Sequence, residues 1–234
     1  LSPEDDELLF RVAEAQWTIL EQYIIARATR TPSGTITDTH RRKLEMILSG
    51  RDTPDETNSI ARDTQFELYI ASLFAMAGIP VRIGEPDLLI FLGEEEVGIA
   101  AKRVKTTKQI HKRVKHAIEQ IRRSARRGII AVNADLLLKD TGLADSVAER
   151  GRAFDERLRM VHRLDDRLVG EEEVAGRVVI GRTSIWRFNE GRPELEMPMF
   201  RQYRFFANSD EEEEKWSEFV VELERRISSR MQNL

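Results

Sequence analysis

The chain contains no cysteine in its 234 residues. Disulfides and thiolate metal sites are therefore excluded. It also lacks any apolar run near the ~20 residues that cross a bilayer. Its opening residues, Leu1 to Glu7, are acidic and lack the basic start of a secretion signal. A cytoplasmic setting is the expectation. Three familiar chemistries lack their motifs: there is no Gly-x-x-x-x-Gly-Lys-Ser/Thr phosphate loop, no Gly-x-Gly-x-x-Gly and no Gly-x-Ser-x-Gly elbow. No internal repeat is present.

What is there is a globular composition, 41% hydrophobic and 33% charged, long enough for one good-sized domain or a core with a helical extension. The net charge of −4 is unevenly spread. Between Ala101 and Arg127 stand Lys102, Arg103, Lys105, Lys108, Lys112, Arg113, Lys115, Arg122, Arg123, Arg126 and Arg127, with Glu119 the one acid, for a local charge of +10. Such a stripe on an acidic protein points to a polyanion partner, against the blander reading of a solvated helix face. The acidic run Asp210 to Glu214 reads as a helix start favourable to the helix dipole.

Periodicity predicts a helix from Glu4 to Ala28, broken at Thr31-Pro-Ser-Gly, and a shorter one from Thr39 to Leu48, capped by Thr37 or Asp38. We take residues 1–58 as a helical extension and 59–234 as the core. The core opens with a helix from Ile60 to Ala77, stopped by Gly78. Short strands follow at Val81–Ile83, Leu88–Leu92 and Val97–Ala101, the last two joined by a turn at Gly93. A basic helix then runs to Ser124, with Ile110, Val114, Ala117, Ile118 and Ile121 on one face. Ile129 to Asn133 is a continuous apolar run of the buried-strand kind. Further on come a helix at Ala144–Leu164, a strand pair within Arg177–Phe188, a strand at Gln202–Ala207 and a helix from Asp210. The order is mixed α/β.

The chemistry concentrates between Pro86 and Lys102. Pro86-Asp87 leads one apolar run, and the next ends at Lys102. Residues two apart on a strand face one side, so Gly98, Ala100 and Lys102 share a face. If that face turns to Asp87, an acid and an amine converge. A pair of carboxylates there would bind a hard divalent cation through oxygen, but Ala100 offers only a methyl.

This arrangement resembles the PD-(D/E)xK, or restriction-endonuclease-like, nuclease superfamily. The resemblance spans about Arg62 to Asn133, under half of the chain, and its parts stand in the family's order. Glu67 lies on the first core helix, followed by Pro86-Asp87, Ala100-Ala101-Lys102 and Gln120. The resemblance implies a restriction-endonuclease-like core, a mixed sheet flanked by helices, and magnesium- or manganese-dependent cleavage of DNA in restriction, repair or anti-phage defence. It also implies Asp87 as principal metal ligand, Glu67 as auxiliary ligand, Lys102 as catalytic amine and Gln120 as an organising amide. Ala100 stands where the family carries Glu or Asp. An engineered replacement, a naturally inactive binding domain and migration of the acid to another element are the three explanations. Glu96 and Glu119 are the acids considered for the last.

Lys105, Lys108, Lys112 and Lys115 recur at helical spacing and are the candidate nucleic-acid contacts. His111 and His116 are candidates for phosphate rather than metal contact, and His40 and His162 have no motif company. A homodimer, or docking of an acidic partner on the basic helix without any catalysis, are the further partners weighed.

Overall fold

The structure is a computed structural model. It describes residues 3–28, 38–48, 60–124, 127–138, 171–182, 185–189, 192–196 and 199–231, together with the single helical positions Arg152, Glu156 and Arg159. The rest of the expected helix at Ala144–Leu164 lies outside the described residues. Among the described residues, no helix is long and apolar enough to cross a membrane.

The fold is α/β. Six strands form one mixed sheet: β1 (Val81–Gly84), β2 (Asp87–Leu92), β3 (Glu95–Arg103), β4 (Gly128–Asn133), β5 (Val174–Arg182) and β8 (Met199–Phe205), neighbouring one another in that order. β1, β2 and β3 pair antiparallel; β3, β4 and β5 pair parallel; β8 returns antiparallel on β5. The sheet is covered on both faces, which is why β4 is buried along its whole length. One face packs against α3 (Ile60–Met76), α6 (Asp210–Met231) and α1 (Pro3–Ala28), with Phe66, Ile70, Ile99, Ala131, Trp216 and Ile24 in one cluster. The other packs against α4 (Thr107–Arg123) through Ile110, Val114, Ala117 and Ile121, which meet Ala100, Ile130 and Val132. The alternation along β3 divides Ile99 and Ala101 from Ala100 between the two faces.

α2 (Asp38–Leu48) packs on α3, as does α1, so the N-terminal helices and the core helix are in contact. The expected strand pair within Arg177–Phe188 is not formed. β5 is central, held between β4 and β8, and β6 (Ile185–Asn189) pairs instead with β7 (Arg192–Glu196) as a separate ribbon. A nine-residue strand buried at all but its last position needs cover on both faces, which only the inside of a sheet gives, and that requirement decided its partners. The four-residue helix α5 (Asp135–Leu138) was not foreseen, being too short to show periodicity.

A buried polar network ties α1 to the sheet. Arg182, at the end of β5, donates to Asp135 from Nε (2.9 Å) and from its backbone N–H (2.7 Å), and its guanidinium stands 3.0 Å from Glu21 on α1. The guanidinium also lies over the rings of Trp17 and Tyr69. Gln65 on α3 donates to the other Glu21 oxygen at 2.6 Å. Burial works against the charge on Arg182, but Asp135 and Glu21 more than offset it, so Arg182 holds its proton more firmly than a free arginine. Removing one member of such a group strands buried charge. Arg182→Ala is expected to lower the unfolding free energy by about 3–5 kcal/mol in urea titrations. A loss below about 1 kcal/mol, in the range of an exposed ion pair, would contradict this account.

Candidate functional site

The site forms where β2 and β3 part. β2 starts at Asp87, just after the corner at Pro86, while β3 continues beside β4 to Arg103. The Glu85–Pro86 peptide is cis. The hairpin joining β2 to β3 turns at Gly93, whose φ of 65° suits glycine. Its register pairs Leu88 with Ile99, so one further step sets Asp87 directly opposite Ala100. Side chains so placed have Cβ atoms about 4.5–5.5 Å apart. The corner must sit close to β3 for this to hold. A Cβ on Gly98 would come within 2.8 Å of the Pro86 ring, so only glycine allows that approach.

β3 has no β2 partner beyond this point, and the Asp87 carboxylate takes the place of one. Its Oδ2 accepts the Ala101 N–H at 2.8 Å and the Lys102 ammonium at 2.8 Å. Lys102 Nζ also donates to the Ala101 carbonyl at 3.0 Å. From α4, Gln120 Nε2 donates to the Pro86 carbonyl at 3.0 Å and to Asp87 Oδ1 at 3.3 Å. Its Oε1 is buried with no hydrogen-bond partner among the described residues. Both members of the Asp87–Lys102 pair are mostly buried, so the pair is poorly screened by solvent.

Glu67 approaches from α3 and is paired with Lys43 of α2. Burial is the largest influence on its carboxyl and pushes it above the ordinary range; the Lys43 bond and charge pull it back, Asp87 raises it and Lys102 lowers it. Glu67 therefore senses both charges of the β2–β3 pair. Asp87, Lys102 and Gln120 are thus bonded together, while Glu67 is bonded to Lys43 and feels their charges. Lys43 was missed by sequence reading, because nothing local links it to a carboxylate 24 positions away.

Ala100 is fully buried among the apolar residues beneath α4. Neither alternative acid replaces it. Glu96 pairs with Arg82 near the hairpin, and Glu119 shares the outward face of α4 with the lysines. The donors present do not fit magnesium or manganese. Position 100 has no oxygen, Glu67 is ion-paired, and N–H and ammonium hydrogens point at both Asp87 oxygens. Among the described residues, no three His, Asp or Glu side chains converge as a metal-holding group.

The basic segment divides in two. Lys102, Arg103, Arg122 and Arg127 are paired within the chain, with Asp87, Asp63, Glu171 and Glu212 respectively. Lys108, Lys112 and Lys115 are exposed on the side of α4 opposite its buried stripe. Lys105 precedes the helix and does not belong to that face. Nor does the lysine row border the Asp87 cluster: Gln120 lies roughly a third of a turn round α4 from it. His111 and His116 are exposed on the same helix.

Comparison with family models, with curated proteins and with solved structures gives no match for the chain.

Glu67 offers a direct check. Its folded-state carboxyl keeps its proton to higher pH than the unfolded chain does. Its contribution therefore favours the fold below the ordinary carboxylate range and is lost as pH rises through the raised value. Glu67→Gln removes that loss. Denaturant unfolding from about pH 4 to about pH 7 should show the variant gaining stability relative to the parent as pH rises. A constant gap across that range would contradict the assignment.

Proposed function

We propose that this chain is a nuclease domain of the PD-(D/E)xK kind, acting on DNA, with its second acid position filled by Ala100 and its metal-dependent cleavage thereby disabled. The observation that carries the reading is the position of Asp87, opposite residue 100 and 2.8 Å from the Lys102 ammonium at the fork of two strands. Gln120 reaches Asp87 from α4, and Glu67, on α3 at the opposite face of the sheet, feels the charges of both Asp87 and Lys102. A carboxylate at position 100 would stand beside Asp87 and add an oxygen donor of the kind a hard divalent cation takes. Such a cation polarises a phosphoryl oxygen and lowers the pKa of bound water.

As the chain stands, no cleavage step runs through a metal. Its own residues hold charge in place: Asp87 fixes the Lys102 ammonium, and Gln120 fixes Asp87. Restriction, repair or anti-phage defence in the cytoplasm are the settings that analogy of fold suggests.

A second reading has its own support. Ala100 is fully buried and belongs to the apolar cluster beneath α4, as expected of a residue at home in its surroundings, which favours a natural nucleic-acid-binding module without catalysis. In that reading the exposed lysines of α4 contact phosphate, giving affinity without sequence preference.

Two experiments separate these. In the first, Ala100→Glu with magnesium is expected to cut DNA where the parent does not, and adding Lys102→Ala to that variant is expected to abolish the gain. A restored protein that stays inert across DNA and RNA substrates and both metals would overturn the disabled-nuclease reading. In the second, Lys108→Glu with Lys112→Glu is expected to weaken DNA binding and flatten its salt dependence by about two units of log–log slope. Unchanged affinity would shift the lysine row to an acidic protein partner instead.

A further inference from the structure

Helix α1 is apolar on two opposite sides. Its inner side sends Ile24 and Ile25 into the core, with Leu20 packed against them. Its outer side presents Leu8, Val12, Ile19 and Tyr23, which are 62%, 38%, 65% and 47% exposed, with Ala15 also exposed between them. At spacings of four, three, four and four these five form a single stripe about 22 Å long. A helix apolar on both sides is normally covered on both, and a stripe with this spacing is the seam of a helix pair.

We propose that α1 pairs antiparallel with α1 of a second copy of this chain, across a two-fold axis close to Ala15. The stripe is nearly symmetric about that residue. Turned end for end, it sets Leu8 against Tyr23 and Val12 against Ile19, and leaves the small alanine at the closest approach, as a self-complementary two-fold interface requires. Charge selects the same partner and direction. The helix opens with Glu4, Asp5, Asp6 and Glu7 and closes with Arg27. Antiparallel pairing brings each acidic end to the other copy's arginine, whereas parallel pairing sets acid against acid. The inference is independent of the nuclease reading.

The whole chain is expected to scatter light as a dimer at tens of micromolar and to dissociate on dilution, as mass action requires. Leu8→Glu with Ile19→Glu, both at exposed positions, should give a monomer with unchanged circular dichroism. The absence of cysteine allows a geometric test that does not depend on that variant. Leu8→Cys mixed with Tyr23→Cys should form a mixed disulfide dimer on oxidation, while Leu8→Cys alone should not couple to itself. A chain that stays monomeric at every concentration would overturn the proposal. So would a dimer indifferent to the glutamates, or self-coupling of Leu8→Cys.

Discussion

The Asp87 carboxylate organises this end of the molecule. β3 outruns β2 by several residues, and a strand edge left unpaired beneath a helix would bury an unsatisfied N–H, which costs about 1–3 kcal/mol. Asp87 takes up the Ala101 N–H that β2 no longer reaches. Having been drawn there, its charge needs compensation away from bulk water, and the Lys102 ammonium supplies it. Gln120 then ties the same corner to α4. One side chain thus closes the sheet edge, neutralises a buried lysine and fixes the sheet to its covering helix.

This economy bears on the gap at position 100. A site built for a cation would carry excess negative charge. Here each carboxylate has a lysine: Asp87 has Lys102, and Glu67 has Lys43. The balance is complete without a metal. A second carboxylate opposite Asp87 would upset it by one negative charge. Asp87 stands opposite position 100, while its charge is closed in an ion pair with Lys102.

The parts of this arrangement that were legible in the sequence are those set by short-range pattern. The β2–β3 hairpin, the amphipathic α4 and the buried β4 all follow from alternation or from spacings of three and four, and each falls within a few residues of expectation. The shared facing of Ala100 and Lys102 followed from strand parity. What stayed hidden depends on distant contacts. Arg182 meets Glu21 and Asp135 through three separate elements, and Lys43 meets Glu67 only because α2 lies on α3. No periodicity marks such pairs. Of the lysine row, Lys108, Lys112 and Lys115 share one helical face as their spacing predicts, whereas Lys105, expected with them, precedes the helix. The direction of that face, away from the Asp87 corner, depended on how α4 seats its apolar stripe on the sheet.

The central proposal is that a carboxylate at position 100 would complete a metal-binding pair with Asp87. Calorimetric titration of manganese into Ala100→Glu tests it without requiring any substrate. The account predicts one saturable site in that variant, lost on adding Asp87→Asn, and no such site in the parent chain. Equal binding by parent and variant, or no binding by either, would contradict it.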